Sequence, residues 1–248
     1  MKILVTGCAG FIGFHLCKKL LKNKKYEIIG IDNLNAYYDI KLKKDRLKIL
    51  KDNKKFNFEK LDLTNKKKLL NLVSKNKIKY VINLAAQAGV RYSILNPNTY
   101  FESNILGFYN ILEVSRLNKI KHLIFASTSS VYGDLKTYPL KEEMNTDKPL
   151  SFYAASKKTN EVMAYSYCNI YKLPITGLRF FTVYGPYGRP DMSLFLFVKS
   201  IMQKRKIKLF NNGNHIRDFT YIDDVVNSIE KLLLKSSKKT IPYQIFNI

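Results

Sequence analysis

Short β-rich runs alternate with longer helical patterns through the first two-thirds of the chain, and no other property of the sequence restricts the fold so sharply. The β-rich runs lie at residues 2–6, 26–31, 56–60, 80–84, 122–127 and 175–180, and helical patterns fall near 11–22, 41–52, 65–76, 97–118 and 152–172. Strands separated by helices imply crossover connections and a parallel sheet, because parallel neighbours cannot be joined by a tight turn. Right-handed crossovers place helices on both faces, and ligands then meet the carboxyl ends of the strands. The expected class is α/β, with a doubly wound parallel sheet. After about residue 181 the rhythm changes: a loop at 184–190, a helix near 193–203, a short strand, a loop at 211–218 and a helix near 222–235. The expected division is a nucleotide-binding domain over 1–180 and a smaller substrate domain over 181–248. The last run, Tyr243-Gln244-Ile245-Phe246-Asn247-Ile248, is strand-like without a polar tail, so the second domain reads as incomplete.

The first strand runs into Thr6-Gly7-Cys8-Ala9-Gly10-Phe11-Ile12-Gly13, which opens the first helix. Gly7 suits a tight turn, Gly10 lets a pyrophosphate approach the backbone, and Gly13 allows close helix–sheet contact. The amides of Phe11 and Ile12 at the helix start would then face the phosphates. Asp32 ends the second strand, 19 residues beyond Gly13, where an acid accepts from the adenosine ribose and repels a 2′-phosphate. This set makes the fold Rossmann-type and the cofactor NAD; Asp32 also reads as a loop acid or helix cap. Asp62 and Leu63 end the third strand, beside a candidate adenine site, and Ala85, Ala86 and Gln87 end the fourth, along the dinucleotide. All five serve equally well as loop residues.

Tyr153 and Lys157 stand four apart at the start of a helical pattern, so their side chains share one face. A Lys ammonium beside a phenol stabilises the phenolate and makes a general base near neutral pH. Ser127-Thr128-Ser129-Ser130 ends the fifth strand and brings hydroxyls to the same end of the sheet. Together with Ala85-Ala86-Gln87-Ala88-Gly89-Val90-Arg91 and Arg179-Phe180-Phe181-Thr182-Val183-Tyr184-Gly185-Pro186, these residues resemble the extended short-chain dehydrogenase/reductases, and within them the nucleotide-sugar epimerase/dehydratase family. Asp32-Asn33-Leu34-Asn35-Ala36-Tyr37-Tyr38-Asp39, Gly188-Arg189-Pro190-Asp191-Met192 and Arg217-Asp218-Phe219-Thr220-Tyr221-Ile222-Asp223-Asp224 are most similar to its UDP-glucuronate 4-epimerases of the capsule-biosynthesis type. The likeness runs along the whole chain, and members continue for roughly another third.

The resemblance implies NAD-dependent epimerisation at C4 of a UDP-sugar. Tyr153 would take the O4 proton, Thr128 would hold that oxygen, and Lys157 would hold the nicotinamide ribose. Asn104 would support the cofactor site, and Arg91, Ser129 and Ser130 would face the substrate. The 4,6-dehydratases resembled carry an Asp-Glu pair after the Thr, and the decarboxylases a Glu at the position of Ser130; hydroxyls stand here instead. A 4-keto glucuronate loses carbon dioxide unless its carboxylate is held, which makes Thr182 and Arg189 candidate clamps. Galactose-type epimerases tend to have Asn at the position of Thr182. Arg189 also reads as a loop arginine paired with Asp191. Arg217 would meet the diphosphate, or pair with Asp218. Epimerisation of a neutral UDP-hexose and an inactive truncated nucleotide-binding fragment stand as alternatives.

The net charge of +24 comes from 36 Lys and only 7 Arg, with the lysines spread over amphipathic segments as solvated faces. That pattern suits an AT-rich coding bias and argues against a nucleic-acid partner, which calls for Arg and aromatics on one face. Its residual consequence is attraction of phosphorylated ligands. Cys8, Cys17 and Cys168 form no C-x-x-C pair and leave an odd thiol, pointing to a reducing cytoplasm. No base stands beside Cys8 to make it a nucleophile. Every apolar stretch is broken well before membrane-spanning length. His15, His122 and His215 lack ligand spacing, so no metal is expected. The family likeness implies a homodimer through the helices near 97–118 and 152–172.

Overall fold

The computed structural model describes residues 1–207, 209, 211–214 and 216–248. Its strands are β1 (Lys2–Thr6), β2 (Glu27–Asp32), β3 (Phe56–Lys60), β4 (Tyr80–Asn83), β5 (His122–Thr128), β6 (Ile175–Phe180), β7 (Thr182–Tyr184), β8 (Phe219–Tyr221) and β9 (Tyr243–Asn247). The helices are α1 (Phe11–Leu20), α2 (Ile40–Lys51), α3 (Lys66–Lys75), α4 (Tyr92–Leu95), α5 (Pro97–Tyr100), α6 (Gly107–Leu117), α7 (Phe152–Tyr171), α8 (Ser193–Met202) and α9 (Ile222–Leu233). Seven strands form one sheet in the order β3-β2-β1-β4-β5-β6-β9, all neighbours parallel. The doubly wound Rossmann-type sheet read from the alternation is the fold observed.

The chain winds outward from β1 in both directions, so the crevice between the β1 and β4 ends is where such a sheet admits a ligand. Pleating sends Ile3 and Val5 of β1 into a core with α1, α2 and α9, and Leu4 into a second core with α3, α6 and α7. Both faces of the sheet are thus covered by apolar helix stripes, as a parallel sheet requires.

Three features depart from the periodicity reading. The pattern over 97–118 is not one helix: a π-helical turn, Phe101–Leu106, separates α5 from α6. The wider turn buries Asn104 against the end of β4, an arrangement that such turns often serve at functional sites. Secondly, of the elements placed in the substrate domain by the change of rhythm, α9 packs on the seven-stranded sheet and β9 joins it. Ile222, Val225, Val226, Ile229 and Leu233 of α9 lie in the α1-side core, and β9 pairs with β6 from Ile175↔Tyr243 to Arg179↔Asn247. Between them the chain leaves the sheet at β7, runs through α8, and returns at β8, which pairs with β7 in a separate two-stranded sheet. Finally, the short strand expected after residue 203 falls partly on Lys208 and Phe210, outside the described residues.

Candidate active site

Thr6 ties the two central strand ends: its hydroxyl donates to Asn83 Oδ1 at 2.6 Å and accepts from the Ala85 amide at 3.0 Å. Gly7 then turns with φ +68°, and a Cβ there would stand 2.8 Å from Ala85 N. A Cβ on Gly13 would stand 2.1 Å from Gly7 O, so only glycine lets α1 start this close to the turn. Gly10 is the N-cap of α1 with no side-chain cap, and the first helical amides have no partner within the helix. An uncapped helix start in a glycine cradle fits a pyrophosphate.

Asp32 is buried at the end of β2, where its carboxylate accepts from Leu34 N at 2.8 Å and Ala9 N at 3.2 Å. Burial pushes its carboxyl up, while those amides and the cations Lys43 and Arg46 pull it down. Asp32 therefore organises the loop and also lines the cleft. Asn33 Nδ2 donates to Asp62 at 2.7 Å, joining the β2 and β3 ends. Asn104 Oδ1 accepts from Gln87 N at 2.7 Å, and its Nδ2 donates to Gln87 O and to Ser156 Oγ, both at 3.0 Å. It stands behind the cleft wall and holds the Gln87 backbone.

One cleft of about 1020 Å³ is lined by Gly7, Gly10, Phe11, Ile12 and Gly13, by Asp32, Asp62 and Leu63, and by Ala85, Ala86 and Gln87. The same cleft is lined by Arg91, Thr128, Ser129, Ser130, Tyr153 and Lys157, and by Thr182, Arg189 and Arg217. All the sequence-predicted site residues except Asn104 meet there.

Ser151 caps α7 by accepting from the Ala154 amide at 3.1 Å, which sets the turn that presents Tyr153. Lys157 is buried and donates to Ala126 O at 2.9 Å; burial lowers its ammonium to about 8. Burial also pushes the Tyr153 phenol up, and the Arg189 charge and the Thr128 hydroxyl oppose that rise. Arg189 is therefore a cation that favours the phenolate of Tyr153 in this structure.

Arg189 forks onto Asp191, Nε to Oδ1 at 3.1 Å and Nη2 to Oδ2 at 2.5 Å, and the Tyr37 hydroxyl donates to the same carboxylate at 3.0 Å. Tyr37 is pushed up to about 12 by burial and by Asp191, so it stays a donor. Thr182 begins β7, its amide donating to Asp218 O at 3.1 Å. Sequence reasoning missed Arg46, buried behind the glycine loop, and Tyr100, whose ring meets Tyr153 edge-on at 6.1 Å. A signal for Arg46 existed: it is the lone Arg among the lysines of α2 in a chain that uses Arg only 7 times.

Burial holds the Cys8 thiol well above its ordinary value, which leaves it a poor nucleophile. His15 Nε2 lies 2.8 Å from Pro186 O, and His122 is buried between Leu233 O and Thr176 Oγ1. His215 lies outside the described residues. Among the described residues no three His, Cys, Asp or Glu side chains group as a metal site would, and no helix is long and apolar enough to cross a membrane.

Residues 3–248 match the NAD dependent epimerase/dehydratase family. The chain is 51% identical to Protein CapI of Staphylococcus aureus over 263 residues, covering 100% of this chain and 78% of that protein. It is 46% identical over 245 residues to a UDP-glucuronate 4-epimerase of Thermodesulfobacterium geofontis, covering 99% and 74%. The structure of UDP-glucuronic acid 4-epimerase from Bacillus cereus in complex with UDP-glucuronic acid and NAD matches with a TM-score of 0.92 at 38% identity, covering 100% of this chain and 77% of that one.

Proposed function

The chain belongs to the NAD dependent epimerase/dehydratase family, and within it we propose that this protein is a 4-epimerase interconverting UDP-glucuronate and UDP-galacturonate through a 4-keto sugar. Bound NAD would supply reversible hydride acceptance at sugar C4 and end each turnover unchanged. The glycine-loop amides at the start of α1 hold its pyrophosphate, and Asp32 binds the adenosine ribose hydroxyls, excluding a 2′-phosphate. Asp62 and Leu63 flank the adenine, and Ala85, Ala86 and Gln87 line the dinucleotide, with Asn104 fixing Gln87. Lys157 holds the nicotinamide ribose.

Tyr153 takes the O4 proton while Thr128 holds that oxygen, and returns the proton once the sugar has presented its other face. Ser129, Ser130 and Thr182 offer neutral donors to the sugar carboxylate, and Arg189 offers charge. Held so, the carboxylate of a β-keto acid is kept from leaving as carbon dioxide. Arg91 and Arg217 meet the diphosphate. The observation that carries this reading is that Arg189 opens onto the same cleft as Tyr153 and Thr128.

Incubation of the 248-residue chain with UDP-glucuronate and NAD, with products resolved by anion exchange and mass, tests it. A new product of unchanged mass that coelutes with UDP-galacturonate is expected. A product lighter by carbon dioxide would mean that the carboxylate is not clamped, and no product with NAD bound would leave a cofactor-binding fragment. A second reading, epimerisation of a neutral UDP-hexose, draws support from Asp191, which occupies one whole edge of the Arg189 guanidinium. Arg189→Ala separates the two: it should raise KM for UDP-glucuronate far more than for UDP-glucose under the first reading, and equally under the second.

A further inference from the structure

Arg46 on α2 is wholly buried, yet among the described residues no carboxylate lies within ion-pair distance of it. Its hydrogen bonds go mainly to backbone carbonyls on two separate loops. Nη1 donates to Ala9 O at 2.8 Å and lies 2.8 Å from the Tyr38 hydroxyl, while Nη2 donates to Tyr187 O at 2.6 Å and Gly188 O at 3.3 Å. Ala9 sits inside the glycine loop, its amide already held by Asp32. Gly188 directly precedes Arg189, whose side chain lines the cleft.

The neighbouring contacts run along the same seam. His15 of α1 reaches Pro186 O, and the Phe14 ring packs on Tyr187 at 5.2 Å between centroids. Three successive carbonyls, at 186, 187 and 188, are therefore engaged from helices of the sheet domain. Tyr187 holds a left-handed φ of 53°, unusual for a residue with a side chain, and Gly188 has no room for a Cβ, which would meet the Phe195 ring at 2.5 Å. At Tyr187 the loop is thus held in a conformation that a residue with a side chain does not prefer.

We propose that Arg46 is a positioning residue that couples the two halves of the cleft, fixing the glycine loop and the Arg189 loop with one planar group. The inference rests on the reading above that NAD occupies the glycine-loop half and a UDP-sugar the Arg189 half. A ligand that orders one loop sets the guanidinium and thereby orders the other, so each ligand favours binding of its counterpart, by the same factor in both directions. A lysine, with a single ammonium on a flexible stem, cannot hold a fixed fork across both loops.

Calorimetric titration of NAD with and without saturating UDP, a non-reacting probe of the second half, tests the coupling. In the unaltered chain UDP should tighten NAD by about 5-fold or more, and NAD should tighten UDP equally. Arg46→Lys should reduce that factor below about 2-fold, while a merely structural loss would weaken both ligands and leave their ratio intact. A measurement on the unaltered chain needs no folded variant: NAD alone should slow amide hydrogen exchange in residues 184–192. NAD that binds without protecting those amides, or an undiminished factor in Arg46→Lys, overturns the coupling. A chain that binds no NAD at all overturns the cofactor reading and the coupling with it.

Discussion

Tyr153 is a phenol pulled in two directions: burial raises it, and the Arg189 charge with the Thr128 hydroxyl lowers it. A base must be deprotonated to act, so removing the cation should move the acid limb of kcat/KM to higher pH. Arg189→Ala should therefore shift that limb upward in a pH–rate profile, and an unmoved limb would remove Arg189 from the proton transfer. Tyr153→Phe should cut turnover at least ~10²-fold while NAD stays bound, read by rate and by fluorescence titration on one preparation. Lys157 carries a different liability. Its buried ammonium sits near 8, below its unfolded value, so the folded state binds fewer protons between those two limits. Stability thus rises with pH through that window, and the penalty of burying the charge is fully present below it. Lys157→Met, which also forfeits one hydrogen bond to Ala126, should stabilise the fold by about 1–2 kcal/mol at neutral pH. That gain should shrink toward pH 10 in denaturant titrations, with activity lost throughout. These residues were legible because each sits in a short local pattern: a hydroxyl ending a strand, a phenol four before a lysine, an arginine in a glycine-rich loop. Tyr37 and Tyr100 were not, because their hydrogen-bond partners lie 11 to 154 positions away, and Arg46 showed only as the lone Arg among the lysines of α2.

At the level of elements, the β1–α1 unit shows how little room the glycine loop leaves. A methyl at Gly13 would run into the Gly7 carbonyl, which is backbone and cannot rotate aside as a side chain would. Gly13→Ala should cost at least about 1–3 kcal/mol in thermal or chemical unfolding, and should weaken NAD binding more than UDP binding. Helices α6 and α7 pose a different question. They bury apolar residues against the sheet, yet leave Tyr109, Leu117, Val162 and Ile170 exposed. Large apolar side chains left exposed on two neighbouring helices suit a partner, and we propose that a second copy of the chain covers them. Light scattering should give twice the chain mass, and Val162→Asp, at 58% exposure, should halve it without unfolding the monomer. Periodicity made most helices and strands visible to within a residue or two. It could not reveal the π-helical turn, because apolar spacing around Phe101–Leu106 continues as an α-helix would, while the hydrogen bonds of Asn104 to the Gln87 backbone are tertiary. Nor could it show that β9 returns to β6, since a half-buried strand-like run carries no label of its neighbour.

Over the whole molecule the net charge of +24 is the property with the least local meaning. Most of the lysines lie on exposed faces, Lys43 and Lys157 being the buried ones among the described residues. Five of the seven arginines are placed otherwise: Arg91, Arg189 and Arg217 line the cleft, and Arg46 and Arg179 are buried. Arg179 pairs with Glu161 at 2.9 Å and 3.0 Å and so contributes little field, whereas the lysine excess is unbalanced. A field of this size raises the local concentration of an anionic ligand before any contact forms. Raising salt from about 20 to about 300 mM shortens the screening length from ~20 Å to ~6 Å, which leaves contacts inside the cleft intact and removes attraction at a distance. kcat/KM for a UDP-sugar should therefore fall several-fold over that range while kcat stays level, and sucrose at equal osmolality should change neither. UDP-glucuronate bears one more negative charge than UDP-glucose, so its decline should be the steeper. A flat response for both would mean that the excess lysine is compositional drift with no bearing on encounter. Equal slopes would mean that the field gathers the shared diphosphate alone and that any preference for the carboxylate arises only at contact, through Thr182 and Arg189.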